Sequence, residues 1–166
     1  MDIILATVKD AYDIADILSE TWSAAYMDII PSETIAERNM SRYSNIKKTL
    51  VADNDSYYIV RDKGKAVATF CIGPSLDIDT DRYTFEVMVI YVRPRYWRQG
   101  IGSLIMADVI EKAKRLRMKT IKVWVLALNT NAIEFYKKTG FIFDGQTKTM
   151  NYGKNLELLR MEKRVG

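Results

Sequence analysis

The fold is decided by one stretch of the chain, Val92-Arg93-Pro94-Arg95-Tyr96-Trp97-Arg98-Gln99-Gly100-Ile101-Gly102-Ser103. Residues 84–92 before it are mostly apolar and β-prone, which predicts a buried strand, and residues 101–116 repeat apolar side chains at helical spacing. The stretch is therefore a turn from a strand into a helix. The first amide groups of a helix have no partner inside it, and Gly100 and Gly102 lack the side chains that would keep an anion away. This arrangement favours phosphate binding.

Charge and periodicity support the same interpretation. Arg93, Arg95 and Arg98 lie in or beside the turn and add positive charge to that of the helix dipole. Gly102 also shares one predicted apolar helix face with Ile105, Met106, Val109, Ala113 and Leu116, where the absence of a side chain allows close packing. From the residues alone, an ordinary turn with solvated arginines remains the alternative.

The composition is that of a globular protein, with 166 residues, 48% of them hydrophobic and 28% charged. We predict one domain over residues 1–166. The chain has a single cysteine, Cys71, and no histidine, which excludes an internal disulfide and predicts no metal site. No signal-peptide pattern or membrane-spanning apolar run is visible, so we expect a cytoplasmic protein without membrane association. The net charge of +4 is compatible with nucleic acid, an acidic protein or an anionic cofactor.

The remaining elements follow from changes in hydrophobic period. Helical spacing or capping predicts helices over residues 9–29, 32–40, 45–52, 101–116 and 129–138, the last of them capped by Gly140. Short β-prone runs predict strands over residues 3–8, 57–61, 66–72, 83–92, 120–126, 141–146 and 156–160. The strand, helix and strand from residue 83 to residue 126 form a right-handed parallel unit.

Two motifs in this order resemble the GNAT family of N-acetyltransferases. Arg98-Gln99-Gly100-Ile101-Gly102 looks like the family's pyrophosphate loop, Gln/Arg-x-x-Gly-x-Gly/Ala, although Trp97 occupies the Gln/Arg position. About thirty residues later, residues 129–141 resemble the family's Asn-x-x-Ala-x-x-(aromatic/Leu)-Tyr-x-x-x-Gly-Phe segment. The resemblance implies an α/β (α+β) fold with a central mixed, mostly antiparallel sheet of about seven strands flanked by helices.

The resemblance also implies the cosubstrate, acetyl-CoA, and the residues that hold it. The end of the strand before the turn would offer backbone groups to the pantetheine arm, the loop amides would hold the diphosphate, and an asparagine would bond to the arm. The corresponding residues are Ile90, Tyr91, Val92, Arg98, Gln99, Gly100, Ile101, Gly102, Ser103 and Asn129.

Glu86 and Tyr136 are the candidate catalytic residues. Glu86 is a carboxylate in an otherwise apolar strand, and desolvation there would raise its proton affinity and suit it to act as a base. Alternatively, it pairs with Arg82 or lies at an exposed strand end. The resemblance assigns Glu86 to the base position of the histone-modifying members. It assigns Tyr136 to the residue that protonates the departing thiolate, whereas the residues alone allow core packing.

The sequence gives fewer indications of the acceptor amine than of the donor. Trp22 and Tyr26, near the end of the first helix, either line a substrate pocket or pack in the core, and with Ile30-Pro31 they are similar to the subgroup containing polyamine acetyltransferases. Acidic side chains in the second helix and in the 77–81 loop would suit a polycation, although a solvated acidic surface is the alternative. We expect direct transfer to a primary amine, with small molecules or polyamines favoured. The alternatives are a protein N-terminal or lysine acetyltransferase and a noncatalytic acyl-CoA-binding regulator.

Partners other than acetyl-CoA and the amine are not indicated. The clustered arginines at the loop are already assigned to phosphate, so we expect no nucleic-acid binding. The oligomeric state is open, with a homodimer among the candidates.

Overall fold

A computed structural model describes residues 1–52 and 56–166. Within these residues, four α-helices and seven strands follow one another, with short 3-10 helices at Val8–Asp10 and Pro94–Tyr96. In chain order they are β1 (Asp2–Leu5), α1 (Ala11–Tyr26), α2 (Ser32–Ala52), β2 (Tyr57–Asp62), β3 (Lys65–Pro74), β4 (Thr84–Val92), α3 (Ile101–Arg115), β5 (Thr120–Leu126), α4 (Thr130–Lys138), β6 (Ile142–Asn151) and β7 (Asn155–Arg164).

The strands form one seven-stranded sheet in the order β1-β2-β3-β4-β5-β7-β6. The β1–β2, β2–β3, β5–β7 and β6–β7 pairs are antiparallel. β4 and β5 are parallel, with Thr84–Glu86 in register with Thr120–Lys122. The predicted fold class, a mixed and mostly antiparallel sheet with flanking helices, is confirmed. No helix among the described residues has the length and apolarity needed to cross a bilayer.

The chain forms two compact units. The first contains Met1–Cys71 and Val89–Gly102, and the second contains Ile72–Met88 and Ser103–Gly166. In the first unit, one face of α1 and α2 packs on β2 and β3 in a core that includes the buried Cys71. In the second unit, most of the predicted apolar face of α3 is buried, namely Ile105, Met106, Val109 and Ala113. Leu116 is an exception, because α3 ends at Arg115 and leaves it 57% exposed. One domain over residues 1–166 stays a prediction.

The predicted break between two helices at residues 40–45 is wrong. α2 runs without interruption from Ser32 to Ala52. Short polar side chains such as the serines in this region can compete with the helix for backbone hydrogen bonds. Here they bond within the helix instead, since Ser41 Oγ donates to the Arg38 carbonyl oxygen and Ser44 Oγ to that of Ser41. Neither proline nor glycine is present to end the helix.

The first strand and the last hairpin also differ from their predicted lengths. β1 ends at Leu5, because Asp10 accepts hydrogen bonds from the Thr7 amide and hydroxyl groups and starts a 3-10 turn instead. β6 and β7 extend to 10 residues each. β6 is a largely exposed edge strand with an irregular register between Phe143 and Thr147, so it lacks the apolar alternation that marks a strand.

Phe141 and Phe143 provide a test of where the second unit is stabilised. Phe141 is 1% exposed and contacts the ring of Tyr136, whereas Phe143 is 51% exposed. We expect Phe141→Ala to lower the free energy of unfolding by about 3–5 kcal/mol, because it leaves a cavity. The control Phe143→Ala should cost about 0.5 kcal/mol or less. Urea unfolding followed by circular dichroism measures both, and equal losses would contradict the assignment of Phe141 to the core.

Candidate active site

The turn between β4 and α3 is held by hydrogen bonds to backbone carbonyl oxygens of β3, of β4 and of the turn itself. The Arg93 amide donates to the Val67 carbonyl oxygen at 2.9 Å, which fixes the end of β4. The indole N–H of Trp97 donates to the Val92 carbonyl oxygen at 2.6 Å, and Gln99 Nε2 donates to the Arg95 carbonyl oxygen at 2.9 Å. Trp97, the departure from the family motif, therefore anchors the loop.

The backbone of the loop leaves room for a ligand. Gly100 has a φ of +82°, and a Cβ added there would meet no heavy atom of the described residues within 4 Å. Arg98 also adopts a left-handed conformation, with a φ of 59°, which is unusual for a residue other than glycine. α3 begins at Ile101, directly after this turn, so the free amide groups of its first turn follow the open space at Gly100.

Arg93 does not contribute its charge to the loop as predicted. Its guanidinium is buried and donates to the Ala66 carbonyl oxygen at 2.9 Å. It also forms salt bridges with Asp16 at 2.7 Å and Glu20 at 2.5 Å. Its charge is therefore neutralised by α1, because both acidic partners lie on that helix. The exposed arginines of the turn are Arg95 and Arg98.

Trp22 and Tyr26 lie together in the core of the first unit. Both are at least nine-tenths buried, and their rings meet edge to face at 5.0 Å. The Trp22 indole N–H donates to the Tyr91 hydroxyl at 2.9 Å, which joins α1 to the end of β4. These contacts fit the packing alternative, and a substrate-binding role for the two residues stays a prediction.

Glu86 lies on β4 in the second unit. One of its carboxylate oxygens accepts from the Ser75 hydroxyl at 3.2 Å. Burial raises the pKa of Glu86, and the Asp77 charge adds to this, while the Ser75 hydrogen bond and the charge of Lys148 oppose it. The suggested pairing with Arg82 is not observed, since that guanidinium donates to the Tyr83 hydroxyl. The strand is also less buried than its sequence indicated, because Met88 is 43% exposed.

The acidic loop before β4 is bound to one buried cation. Arg160, 3% exposed on β7, holds Asp79 through two bonds of 2.7 and 2.5 Å. It also bonds Asp77 at 2.9 Å and Asp144 at 2.7 Å. Asp81 accepts from the Tyr83 amide at the start of β4. These carboxylates are therefore engaged within the unit rather than presented as a free negative surface. Sequence reasoning missed both Arg160 and Ser75.

The second motif, residues 129–141, consists of α4 and the residues that flank it. Asn129 caps the helix, with its side-chain oxygen accepting from the Ala132 amide at 3.2 Å. The cap uses that oxygen, which leaves the two amide N–H donors as the groups that a ligand can use. Tyr136 is 5% exposed and contacts the rings of Phe135 and Phe141. Gly140 ends the segment with a φ of +89°, as its predicted capping role requires.

Each unit contains part of the predicted site. In the first unit, Trp22 and Tyr26 lie together with Tyr91, the middle residue of the strand end assigned to the pantetheine arm. The loop from Arg98 to Gly102 belongs to the same unit. The second unit contains Glu86 and Tyr136.

Comparison with known proteins gives the same family as the motifs. The model of the acetyltransferase (GNAT) family matches residues 11–141. An uncharacterized N-acetyltransferase of Methanocaldococcus jannaschii is 32% identical over 90 residues, which cover 54% of this chain and 40% of that protein. The aligned region thus spans less than half the length of that relative.

Solved structures share the fold. The PaiA N-acetyltransferase of Thermoplasma acidophilum, in complex with coenzyme A, superposes with a TM-score of 0.76 at 18% identity, covering 98% of each chain. A ribosomal-protein-alanine N-acetyltransferase from Brucella melitensis has a TM-score of 0.73 at 23% identity, covering 99% of each chain. At these identities the likeness is one of fold.

The Arg160 cluster predicts an unusual titration of Asp79. Hydrogen bonding to Arg160 holds the pKa of Asp79 at about 2, and the charge of that guanidinium adds to the effect. We expect Arg160→Gln to return the pKa of Asp79 towards its ordinary value of 3.8. Carbon-13 NMR titration of the carboxyl group measures it. The control Arg82→Gln, which also removes a cation from the second unit, should leave it at about 2.

The sign of the stability effect follows from the same pKa. A native pKa below the unfolded value stabilises the fold at higher pH, and that stabilisation is lost as the pH falls from 3.8 to about 2. The wild type should therefore lose more stability across this window than Arg160→Gln. Identical acid-unfolding profiles would show that the Asp79–Arg160 pair does not persist in solution.

Proposed function

Because the chain belongs to the GNAT family of acetyltransferases, we propose that it transfers an acetyl group from acetyl-CoA directly to a primary amine. The observation that carries the proposal is the β4–α3 turn, where Gly100 leaves open space immediately before the amide groups of α3. Acetyl-CoA supplies an acetyl thioester as the group to be transferred. The coenzyme A bound to the Thermoplasma protein of the same fold supports this choice of donor.

The residues around the turn fit the donor's diphosphate. Backbone amides from Gln99 to Ser103 would hold the phosphate oxygens, and the exposed Arg98 would add positive charge. The strand end Ile90–Val92 would offer backbone groups to the pantetheine arm. The Val92 carbonyl oxygen already accepts from Trp97. Asn129 would donate its amide N–H to the same arm.

Glu86 and Tyr136 would move the protons. An amine attacks as the free base, so a carboxylate with a raised pKa is suited to remove its proton near neutral pH. Ser75 holds that carboxylate in one orientation through its hydroxyl group. Tyr136 would donate its phenolic proton to the departing sulfur, which needs a proton as the thioester bond breaks.

The charges of the second unit favour a small amine over a polycation. Two of the acidic groups that suggested a polyamine, Asp77 and Asp79, form salt bridges with Arg160. A third, Asp81, accepts from the Tyr83 amide, whereas Glu33 and Glu37 are exposed on α2 in the first unit. A polyamine would have to compete with a buried guanidinium for Asp77 and Asp79. We therefore propose a small-molecule acceptor with a single reacting amine.

A panel of acceptors tests the activity. Small amines, polyamines, peptides with free N-termini and lysine peptides would each be incubated with acetyl-CoA, and released thiol would be measured. We expect turnover with small amines above that with spermidine. Preference for peptides would favour protein acetylation instead. Tight acetyl-CoA binding without thiol release from any acceptor would favour a noncatalytic regulator.

Gly100 provides a matched test of the donor site. Gly100 and Gly64 have φ values of +82° and +80°, and an added Cβ meets no described heavy atom within 4 Å at either. Alanine at each position should cost a similar roughly 1–2 kcal/mol of stability, because both backbones are left-handed. Only Gly100→Ala should weaken acetyl-CoA binding, by roughly tenfold or more, since its methyl group enters the proposed phosphate site. Calorimetry measures the affinity, and equal affinities for both variants would refute the loop assignment.

Glu86→Gln tests the base. We expect kcat/KM to fall roughly 100-fold, with loss of the acidic limb of its pH profile, because the amide cannot accept the proton. The control Glu157→Gln, an exposed position on β7, should retain wild-type activity and pH profile. The acceptor should have a low amine pKa, so that it is already unprotonated across the pH range tested. Its own ionisation then does not mask the acidic limb that belongs to Glu86. An unshifted profile in Glu86→Gln would return this residue to a structural role.

Stability provides a second readout of the same variant. A raised native pKa means that ionising Glu86 destabilises the fold as the pH rises above the ordinary value of 4.5. At neutral pH Glu86→Gln should therefore melt at a higher temperature than the wild type, and the difference should vanish below pH 4.5.

A further inference from the structure

Arg42 is a buried cation without an anionic partner among the described residues. It lies in the middle of α2 and is 9% exposed. Its Nε donates to the Asn39 side-chain oxygen at 2.8 Å, whereas its Nη2 is buried with no hydrogen-bond partner. A buried charge is costly unless it is paired and hydrogen-bonded. A bound anion would supply the negative charge that this guanidinium does not receive from the described residues.

Burial and the neighbouring Arg38 both disfavour the charged form of Arg42, so an anionic partner would stabilise it. Burial lowers the pKa of Arg42, and the like charge of Arg38 acts in the same direction. Both guanidinium groups lie over the Trp22 ring, at 4.5 Å for Arg42 and 5.3 Å for Arg38. Cation–π contacts partly offset the desolvation of a cation, but they supply no negative charge. An incoming polycation would be repelled.

Tyrosine hydroxyls complete a set of donors for an oxyanion. Tyr57 is buried in the core to which α2 contributes Ile46 and Leu50, and Tyr91 packs against that core. Tyr91 is also hydrogen-bonded to Trp22, the ring that Arg42 covers. Burial raises the pKa of Tyr57, so its hydroxyl stays protonated. Tyr91 accepts a hydrogen bond from Trp22, which leaves its own proton for donation. The backbone of Tyr91 belongs to the strand end assigned above to the pantetheine arm, so one residue joins the donor site to this cluster.

We propose that Arg42, Tyr57 and Tyr91 bind a carboxylate of the acceptor, so that the acceptor is an amino acid whose amine is acetylated. A guanidinium edge matches the two oxygens of a carboxylate, and one such group neutralises one buried arginine. The Trp22 and Tyr26 rings provide an aromatic wall beside it. This inference rests on the proposed acetyl transfer, and it names the chemical class of the acceptor.

Matched pairs of acceptors test the carboxylate directly. Leucine, phenylalanine, tyrosine and lysine would be compared with isopentylamine, phenethylamine, tyramine and cadaverine, which are the same molecules without the carboxylate. Thermal stabilisation of the coenzyme A-saturated protein measures binding independently of turnover. We expect at least one amino acid to raise the melting temperature and its decarboxylated amine not to do so. Equal effects within every pair, including none from either member, would overturn the proposal.

Variants of α2 then assign the preference to Arg42. In the wild type, kcat/KM for the preferred amino acid should exceed that for its decarboxylated amine by roughly tenfold or more, as a charged hydrogen-bond pair provides. Arg42→Gln should reduce this ratio to near one, and Arg42→Lys should retain part of it. The control Lys48→Gln removes an exposed charge from the same helix and should keep the full ratio.

The outcomes separate this inference from the proposed function. If Arg42→Gln lowers stability but leaves the ratio unchanged, Arg42 has a packing role and the inference is wrong. Thiol release from amines without any preference for a carboxylate would likewise overturn the inference while the acetyltransferase proposal stands. Carboxylate-selective binding without thiol release from any acceptor would support the carboxylate site and refute acetyl transfer.

Discussion

The buried guanidinium of Arg93 is the interaction on which the first unit depends. Arg93 links three elements. It directly follows β4 in the chain, and its guanidinium donates to the Ala66 carbonyl oxygen of β3 and pairs with Asp16 and Glu20 of α1. Loss of both carboxylates would leave an uncompensated buried charge, which is strongly destabilising. The turn that follows is therefore attached to a strand end that is tied to β3 and α1.

The parts of the fold with a strong local signal were predictable from sequence. The strand before the turn, the helix after it and the parallel unit follow from apolar periodicity and glycine placement. The continuity of α2 was not predictable, because serines are equally suited to a loop. Their hydroxyl groups bond to carbonyl oxygens one helical turn earlier, and these are in position only once the helix has formed. β6 was predicted too short, since an exposed edge strand needs no apolar alternation.

The candidate site divides in the same way. Gly100 and Glu86 could be identified because a glycine before a helix and a carboxylate in an apolar strand are visible in the sequence. Arg160 had a signal that was available, since it shares the alternating inward positions of Leu156 and Leu158 on β7. Arg42 had no such signal in the sequence. It shares the buried helix face of Ile35 and Ile46 only when α2 is one continuous helix, and the sequence predicted a break there. A buried cation can thus be recognised when its spacing places it on the same face as apolar neighbours. That spacing can be read only if the bounds of the helix or strand are predicted correctly.

The anchoring of the loop by Trp97 has an optical consequence. Of the three tryptophans, Trp22 is buried beneath two arginines and Trp124 lies beneath Lys148, with its indole N–H bonded to Asp77. Trp97 is 41% exposed, and its own N–H is bonded to the backbone of the turn. We expect Trp97, as the most exposed of the three, to contribute the long-wavelength edge of the intrinsic fluorescence. The emission spectrum would then report on the loop that Trp97 anchors, with no label attached.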